Sequence, residues 1–453
     1  MRSLTTIVLC CGIVIASAAC FAQQQDNTEQ MSWLDNGQIK LGVDLNLGGA
    51  VTYLADAKTS ENLINSYDWG RQVQMSFYSG PNPFIPAGKK IQPHWQGLGW
   101  NPIQSGDCFG YRSKVLTHTN DGTTIHVQCI PMIWPLENAP GECTFECIFR
   151  LDGRAVQVTS RLNNARPDKT WYGARDQELP AVYTNGPYHK LMTYTGDKPY
   201  TGGALVEVPK KPGASGIWAD PWNATENWAA LVNDSDFGLG VWHPGVYRFI
   251  GGFACGQPGK GGPKDAPTGY ISPIHREILD WNIVYEYRYI LIVDSLSNIR
   301  TYIYAHADKA TLPRYDFAKD RQHWIYTNAR DAGWPIQGYL EIHADGSDVQ
   351  LYSPEAFWRA EPGHKLVITA AGKKNDTAKM VQAQVFWKTA AGKPFSEENS
   401  LSFTLKADET FATYTLDIGK HAGYQGVITG LRLDPFHTAG ADEWVRIRSI
   451  EIQ

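Results

Sequence analysis

Alternation governs this chain. Runs such as "TTIHVQCI", "AVQVTSRL", "NIVYEYRYILIV", "AQVFWKT" and "RIRSIEI" place apolar, β-branched and aromatic residues at alternate positions, which is the pattern of strands with one buried face. Gly and Pro, 43 and 26 in number, break these runs into lengths that suit turns, and helical periodicity is scarce. A sequence patterned in this way packs antiparallel sheets against each other and does not build βαβ units. With 453 residues, two domains are expected. The alternation lapses where "YAHADKATLPRYDFAKDRQHW" brings in charges and a proline. Residues 306–333 therefore read as a linker between a strand-rich region over 31–305 and a second over 334–453.

Composition excludes some functions. Charged residues are 19% of the chain and hydrophobic ones 43%, with 16 Trp, 22 Tyr and 16 Phe. This balance fits an aromatic-rich globular protein and excludes a disordered or fibrous one. A formal charge of −5 leaves no basic footprint for nucleic acid. The opening "MRSLTTIVLCCGIVIASAACFAQQQ" carries one positive charge, an apolar run from Ile7 to Ala16 and then an abruptly polar stretch. It reads as a secretory signal over residues 1–22 cleaved after Ala22, with lipidation at Cys20 as the alternative. No later run approaches the roughly 18 apolar residues of a spanning helix, so a secreted or periplasmic protein is expected. In an oxidising compartment one or two disulfides among Cys108, Cys129, Cys143, Cys147 and Cys255 are plausible. Cys143 and Cys147 have a metal-ligand spacing but no second pair, so zinc is not expected there. The His residues show no HExxH or His-x-His pattern, and no cofactor is expected. A structural Ca²⁺ held by carboxylates would leave no readable trace.

Two resemblances sharpen the fold. "GGAVTYL", "NLIN" and "EILDWNIVYEYRYILIV" resemble strands of the galactose-mutarotase-like supersandwich, shared by sugar epimerases, several polysaccharide lyases and some glycosidases. The closing "GVITGLRLDPFHTAGADEWVRIRSIEI" looks like the last strands of carbohydrate-binding-module-like jelly rolls on exported bacterial polysaccharide-degrading enzymes. Together they imply an all-β chain, a large two-sheet supersandwich followed by a β-jelly-roll, acting on an oligosaccharide or polysaccharide. The supersandwich resemblance supports a fold and a substrate class, and it carries no catalytic signature. Within the jelly roll, the run Arg432, Asp434, Pro435 reads as a structural turn.

The resemblance also implies a ligand on a concave sheet face roofed by loops. "YDWGRQVQMSFYSGP" offers Asp68, Trp69, Arg71 and Gln72, and "HWQGLGWNPIQSGD" offers His94, Trp95, Trp100, Asn101 and Asp107. Aromatic faces stack on sugar rings while carboxylates, amides and guanidinium groups grip hydroxyl pairs. The stretch from Tyr172 to Gly202 concentrates polar and aromatic residues around three prolines and reads as a cleft wall. If "RDQEL" is extended, Asp176 and Glu178 share a face and Arg175 and Gln177 the other. Their Cα atoms would then lie roughly 6.6 Å apart at about 3.3 Å per residue. Two parallel side chains on one strand cannot easily straddle a glycosidic bond, for which the carboxyls must stand about 5–9.5 Å apart on opposite sides. Glu178 is therefore expected to be the acid or base, with Asp107 or Glu226 as its partner and Asp68 also available. Arg71, His94, Trp95, Trp100, Asp176, Tyr188 and His189 are expected to hold the sugar.

Glycoside hydrolysis is the leading expectation. A polysaccharide lyase would use Tyr188 or His189 as base, with Asn185 or Arg71 neutralising a uronate. A non-catalytic glycan-binding surface protein would keep the aromatics without a perturbed carboxylate. No GxSxG context supports an esterase. Sugar identity, linkage, stereochemical outcome and oligomeric state are open at this level.

Overall fold

The computed structural model describes residues 30–209, 221–308, 312–375, 379–390, 394–436, 440 and 443–453. The expected signal over residues 1–22, with Cys20, lies outside them.

Alternating side chains produce the expected all-β architecture. The first domain packs a ten-stranded sheet against a nine-stranded one, all pairings antiparallel. The main path of the ten-stranded sheet runs Met31–Asp35, Ile39–Asp44, Ala50–Asp56, Val73–Ser76, Arg175–Asn185, Thr268–Glu277, Arg248–Ala254, Trp222–Asn223. Opposite it, Val284–Ser295 lies between Phe237–Trp242 and Ala155–Asn164. Leu41, Val51, Leu179 and Ile271 from one sheet meet Val127, Phe145, Val158 and Leu291 from the other in a single core. Each such burial contributes about 1.5–3 kcal/mol.

A helix, Leu296–His306, closes the domain. Ser295 caps it by accepting from the Asn298 amide. Its buried Ile299 and Ile303 pack on the outer face of the nine-stranded sheet beside Trp228 and Trp242. Gly240 permits this approach, because a Cβ there would lie 2.6 Å from Ile299 Cγ2.

The second domain is a sandwich of two six-stranded sheets. Its core joins Leu340, Ile368 and Ile447 to Leu351, Val385 and Leu431. It begins earlier than the sequence suggested. Residues expected to be a linker form the strands Arg314–Asp316, Ile325–Thr327 and Ala329–Asp331, and they bury Tyr315, Phe317 and Trp324 in this core. Interspersed charges hide that alternation.

The two domains are tied at several points. Arg321 Nη1 lies 2.6 Å from Asp280 Oδ2, Asn282 Nδ2 donates to the Trp334 carbonyl at 3.0 Å, and Arg359 pairs with Asp197 at 3.0 Å.

The disulfide expectation is corrected, since Cys108, Cys129, Cys143, Cys147 and Cys255 are all free. Cys143 and Cys147, four apart on one strand, both point into the core beside Cys129. Burial pushes these thiols up, that of Cys147 to about 12. Among the described residues no helix is long and apolar enough to cross a membrane.

Candidate functional site

Strand Arg175–Asn185 runs through the interior of the ten-stranded sheet and is extended over "RDQEL". Residues directly opposite each other in antiparallel strands share a face. Glu178 stands opposite Ser76 on one side and Ile274 on the other, while the next residue, Leu179, enters the core. Glu178 therefore projects from the outer face. Tyr78 Oη donates to Glu178 Oε2 at 2.7 Å, and Tyr270 Oη donates to Oε1. Tyr183 tilts against Tyr270, with ring centroids 4.8 Å apart. Burial, and then the charge of Glu178, push the phenols of Tyr78 and Tyr270 well above their ordinary value. At neutral pH both remain O–H donors, and the carboxylate is fixed at both oxygens.

Around this center the face carries a polar rim. Arg71, buried, places Nε 3.2 Å from Asp68 Oδ2 and donates from Nη1 to the Ala266 carbonyl at 2.6 Å. Its guanidinium lies over the Tyr67 ring at 4.8 Å, and Tyr67 is itself exposed. Asp68 and Glu178 belong to one electrostatic environment: after burial, their two charges push the Tyr183 phenol well up. Gln72 and Gln74 brace the loop by donating to the Asp68 and Trp69 carbonyls. Further along, Asp176 pairs with Arg248 at 3.0 Å. Glu355, from the second domain, approaches the same pair. Burial pushes its carboxyl above the ordinary value and Asp176 adds to this, while Arg248 and Lys388 oppose it.

Several expected site residues serve the scaffold instead. Asp107 is buried, and its oxygens accept the amides of Phe109, Tyr111 and Asn138, organizing a loop. Glu226 is fully buried and bound by Arg300, Tyr304, Trp228 and the Tyr200 amide. Neither has a free oxygen for a substrate, so the expectation that one of them opposes Glu178 is corrected. Trp100 is fully buried and sits in the core, with Arg166 over its ring at 4.7 Å. Its flanking glycines mimic a loop, but its side chain packs inward. Tyr188 is likewise a core residue at 1% exposure. His94 is exposed on a short 3₁₀ turn, Pro93–Leu98, with Trp95 half-buried between it and Trp134. His189 packs on Phe253, and its Nε2 is 3.7 Å from Asp234. Of the expected set, Glu178, Asp68, Arg71 and Asp176 border the outer face.

A second cluster escaped the sequence reading. His275 and Glu277 lie opposite Gln177 and Arg175, on the inner face of the same sheet. Glu277 Oε1 is approached by His275 Nδ1 at 3.3 Å, His323 Nδ1 at 2.6 Å and Tyr285 Oη at 3.0 Å. Burial would raise the Glu277 carboxyl, but His323 and His275 outweigh it and hold it well below the carboxylate range. His243 packs nearby, 6.4 Å from His275 between ring centroids and stacked on Tyr287. Burial, with His275 beside it, lowers its imidazole to about 3, so it stays neutral. The i, i+2 spacing of His275 and Glu277 was readable as one strand face. The third member is 46 residues beyond Glu277 in sequence, and no local pattern could have supplied it.

No family model and no curated protein matches the chain. Several solved structures are similar to it. A galactose mutarotase-like protein from Lactobacillus casei ATCC 334 is 12% identical, with 58% of this chain and 99% of that one covered at a TM-score of 0.36. A galactose mutarotase related enzyme from Lactobacillus acidophilus is 13% identical, with 58% and 97% covered at a TM-score of 0.35. A 4-alpha-glucanotransferase from Thermococcus litoralis is 8% identical, with 60% and 40% covered at a TM-score of 0.31. These are similarities of architecture, and no residue's role is taken from them.

Proposed function

We propose that the protein is a carbohydrate-active enzyme that hydrolyses a glycosidic bond on the outer face of the ten-stranded sheet. The observation that carries this reading is Glu178, a buried carboxylate held at both oxygens by the phenols of Tyr78 and Tyr270. The two phenols fix the orientation of both oxygens, and in this reading Glu178 acts as base or nucleophile. Glycoside hydrolysis also needs a protonated carboxyl across the bond. Asp68 and Glu355 border the same face, and the environment of Glu355 favors the protonated form. The exposed Tyr67 ring beside Arg71 offers a stacking surface for a pyranose, with Asp68 and Asp176 reaching its hydroxyls. In this reading the protein is exported and the second domain holds glycan. The lyase alternative, which relied on Tyr188 and His189, gains no support from their positions.

The test is a panel of neutral and uronate polysaccharides and aryl glycosides incubated with the purified chain. Reducing ends without ultraviolet absorbance support hydrolysis. An unsaturated-uronate chromophore replaces it with the lyase reading. If glycan is retained with neither signal, the assignment of an enzyme is wrong and the protein is a binding module.

A further inference from the structure

We propose that His275, Glu277 and His323 form a binding site for a divalent transition ion of the zinc class, shared between the two domains. The ligand atoms of these three residues all lie within 4.8 Å of one another. Two imidazoles and one carboxylate are a donor set that suits zinc, whereas calcium takes oxygen ligands. In a tetrahedral site with bonds of about 2.0–2.1 Å, neighboring ligand atoms stand roughly 3.3 Å apart. His275 Nδ1 is already 3.3 Å from Glu277 Oε1. His323 Nδ1, at 2.6 Å, must withdraw slightly, and its side chain, 43% exposed, is free to do so.

Three further observations support a ligand here. The Nε2 atoms of His275 and His243 are buried, and neither finds a hydrogen-bond partner among the described residues. Buried polar groups are seldom left so, and apart from Glu277 no hydrogen bond among the described residues competes with a metal for the His275 ring. Next, Gln322 and His323 both adopt left-handed backbone, at φ 48° and 62°. This conformation is strained for non-glycine residues, and it lies in the turn that carries the His323 ring. Finally, Tyr285 holds the carboxylate at 3.0 Å, the outer-shell hydrogen bond that orients a metal-bound carboxylate. Three protein ligands leave a fourth position for water, open on the side of exposed His323. Because two ligands come from the first domain and one from the second, the ion would clamp the same junction as the Arg321–Asp280 pair.

The experiment uses the full chain, stripped with a chelator and then titrated with Zn²⁺ alone. The expected result is about one zinc per chain retained through gel filtration, with a rise in Tm. His323→Ala removes an exposed ligand and should fold, and it should weaken zinc retention at least tenfold. Co²⁺ in place of zinc should give the visible bands of a tetrahedral nitrogen and oxygen site, a readout that requires no variant. The proposal is overturned if the wild-type chain retains no zinc. It is equally overturned if His323→Ala and His275→Asn retain as much as wild type, or if bound Co²⁺ shows only the weak octahedral spectrum.

Discussion

Glu178 and Glu277 sit on neighboring strands of one sheet and face opposite ways. Each is buried and each meets a tyrosine, yet their surroundings differ in kind. Glu178 looks outward and receives two phenolic hydrogens. Glu277 looks inward and meets two imidazoles and one phenol, all on a single oxygen. Strand parity decides which carboxylate faces the outer surface and which faces the interior. What each then meets is supplied by distant chain segments. A glutamate's chemistry here is thus set first by whether its position is odd or even and second by tertiary neighbors.

Substitutions can break this contrast. The largest effect is expected from Glu178→Gln, which should lower kcat on a cleaved glycan by about 10²–10⁴-fold while leaving the far-ultraviolet spectrum and Tm near wild type. Ordinary turnover by this variant would remove Glu178 from the chemistry. Glu226→Ala tests another buried glutamate, whose partner Arg300 is only 14% exposed. Stranding that guanidinium should destabilise the fold by about 3–5 kcal/mol, read as a lower denaturant midpoint. An unmoved midpoint would show that the pair is not needed.

Tyr270→Phe sharpens the outer site. Losing one hydrogen bond to a charged group is worth about 1.5–3 kcal/mol, so kcat should fall about 10- to 100-fold, and a KM effect alone would assign Tyr270 to binding. The smallest effect is expected at Glu355. Its carboxyl titrates above its unfolded value, so its contribution to stability is full below the unfolded pKa and is lost as pH rises through the folded one. Glu355→Gln should therefore raise Tm by about 1–2 °C at pH 7 and leave it unchanged near pH 4. Equal Tm at both pH values would remove the burial argument for a proton on this group.

The sheets were legible in the sequence because alternation is a local signal. Its failures are also local in cause. The strand Arg314–Asp316 hides Tyr315 between two charged residues, so a core-forming segment read as a linker. Trp100 lies among glycines yet is fully buried. At the site, the extended "RDQEL" put Asp176 and Glu178 on one face, as the register has it. That Tyr78 and Tyr270 would reach Glu178 from 100 and 92 residues away depends on strand order, which no local pattern encodes. Glu226 misled because standing before a strand suits a mouth residue, whereas Arg300, 74 residues later, draws it inside.

The ties between the domains bear on how the chain fails. Arg321 grips Asp280 and Asp331, one in each domain, and Arg359 reaches Asp197 from a different part of the second domain. Two bodies joined at separate points do not melt independently, and a heating scan should show one cooperative transition where a flexible tether would give two. A loss-of-function screen would then score many substitutions in the second domain as though they touched the first. Such positions are to be sorted by refolding yield before any is credited with a role in the reaction.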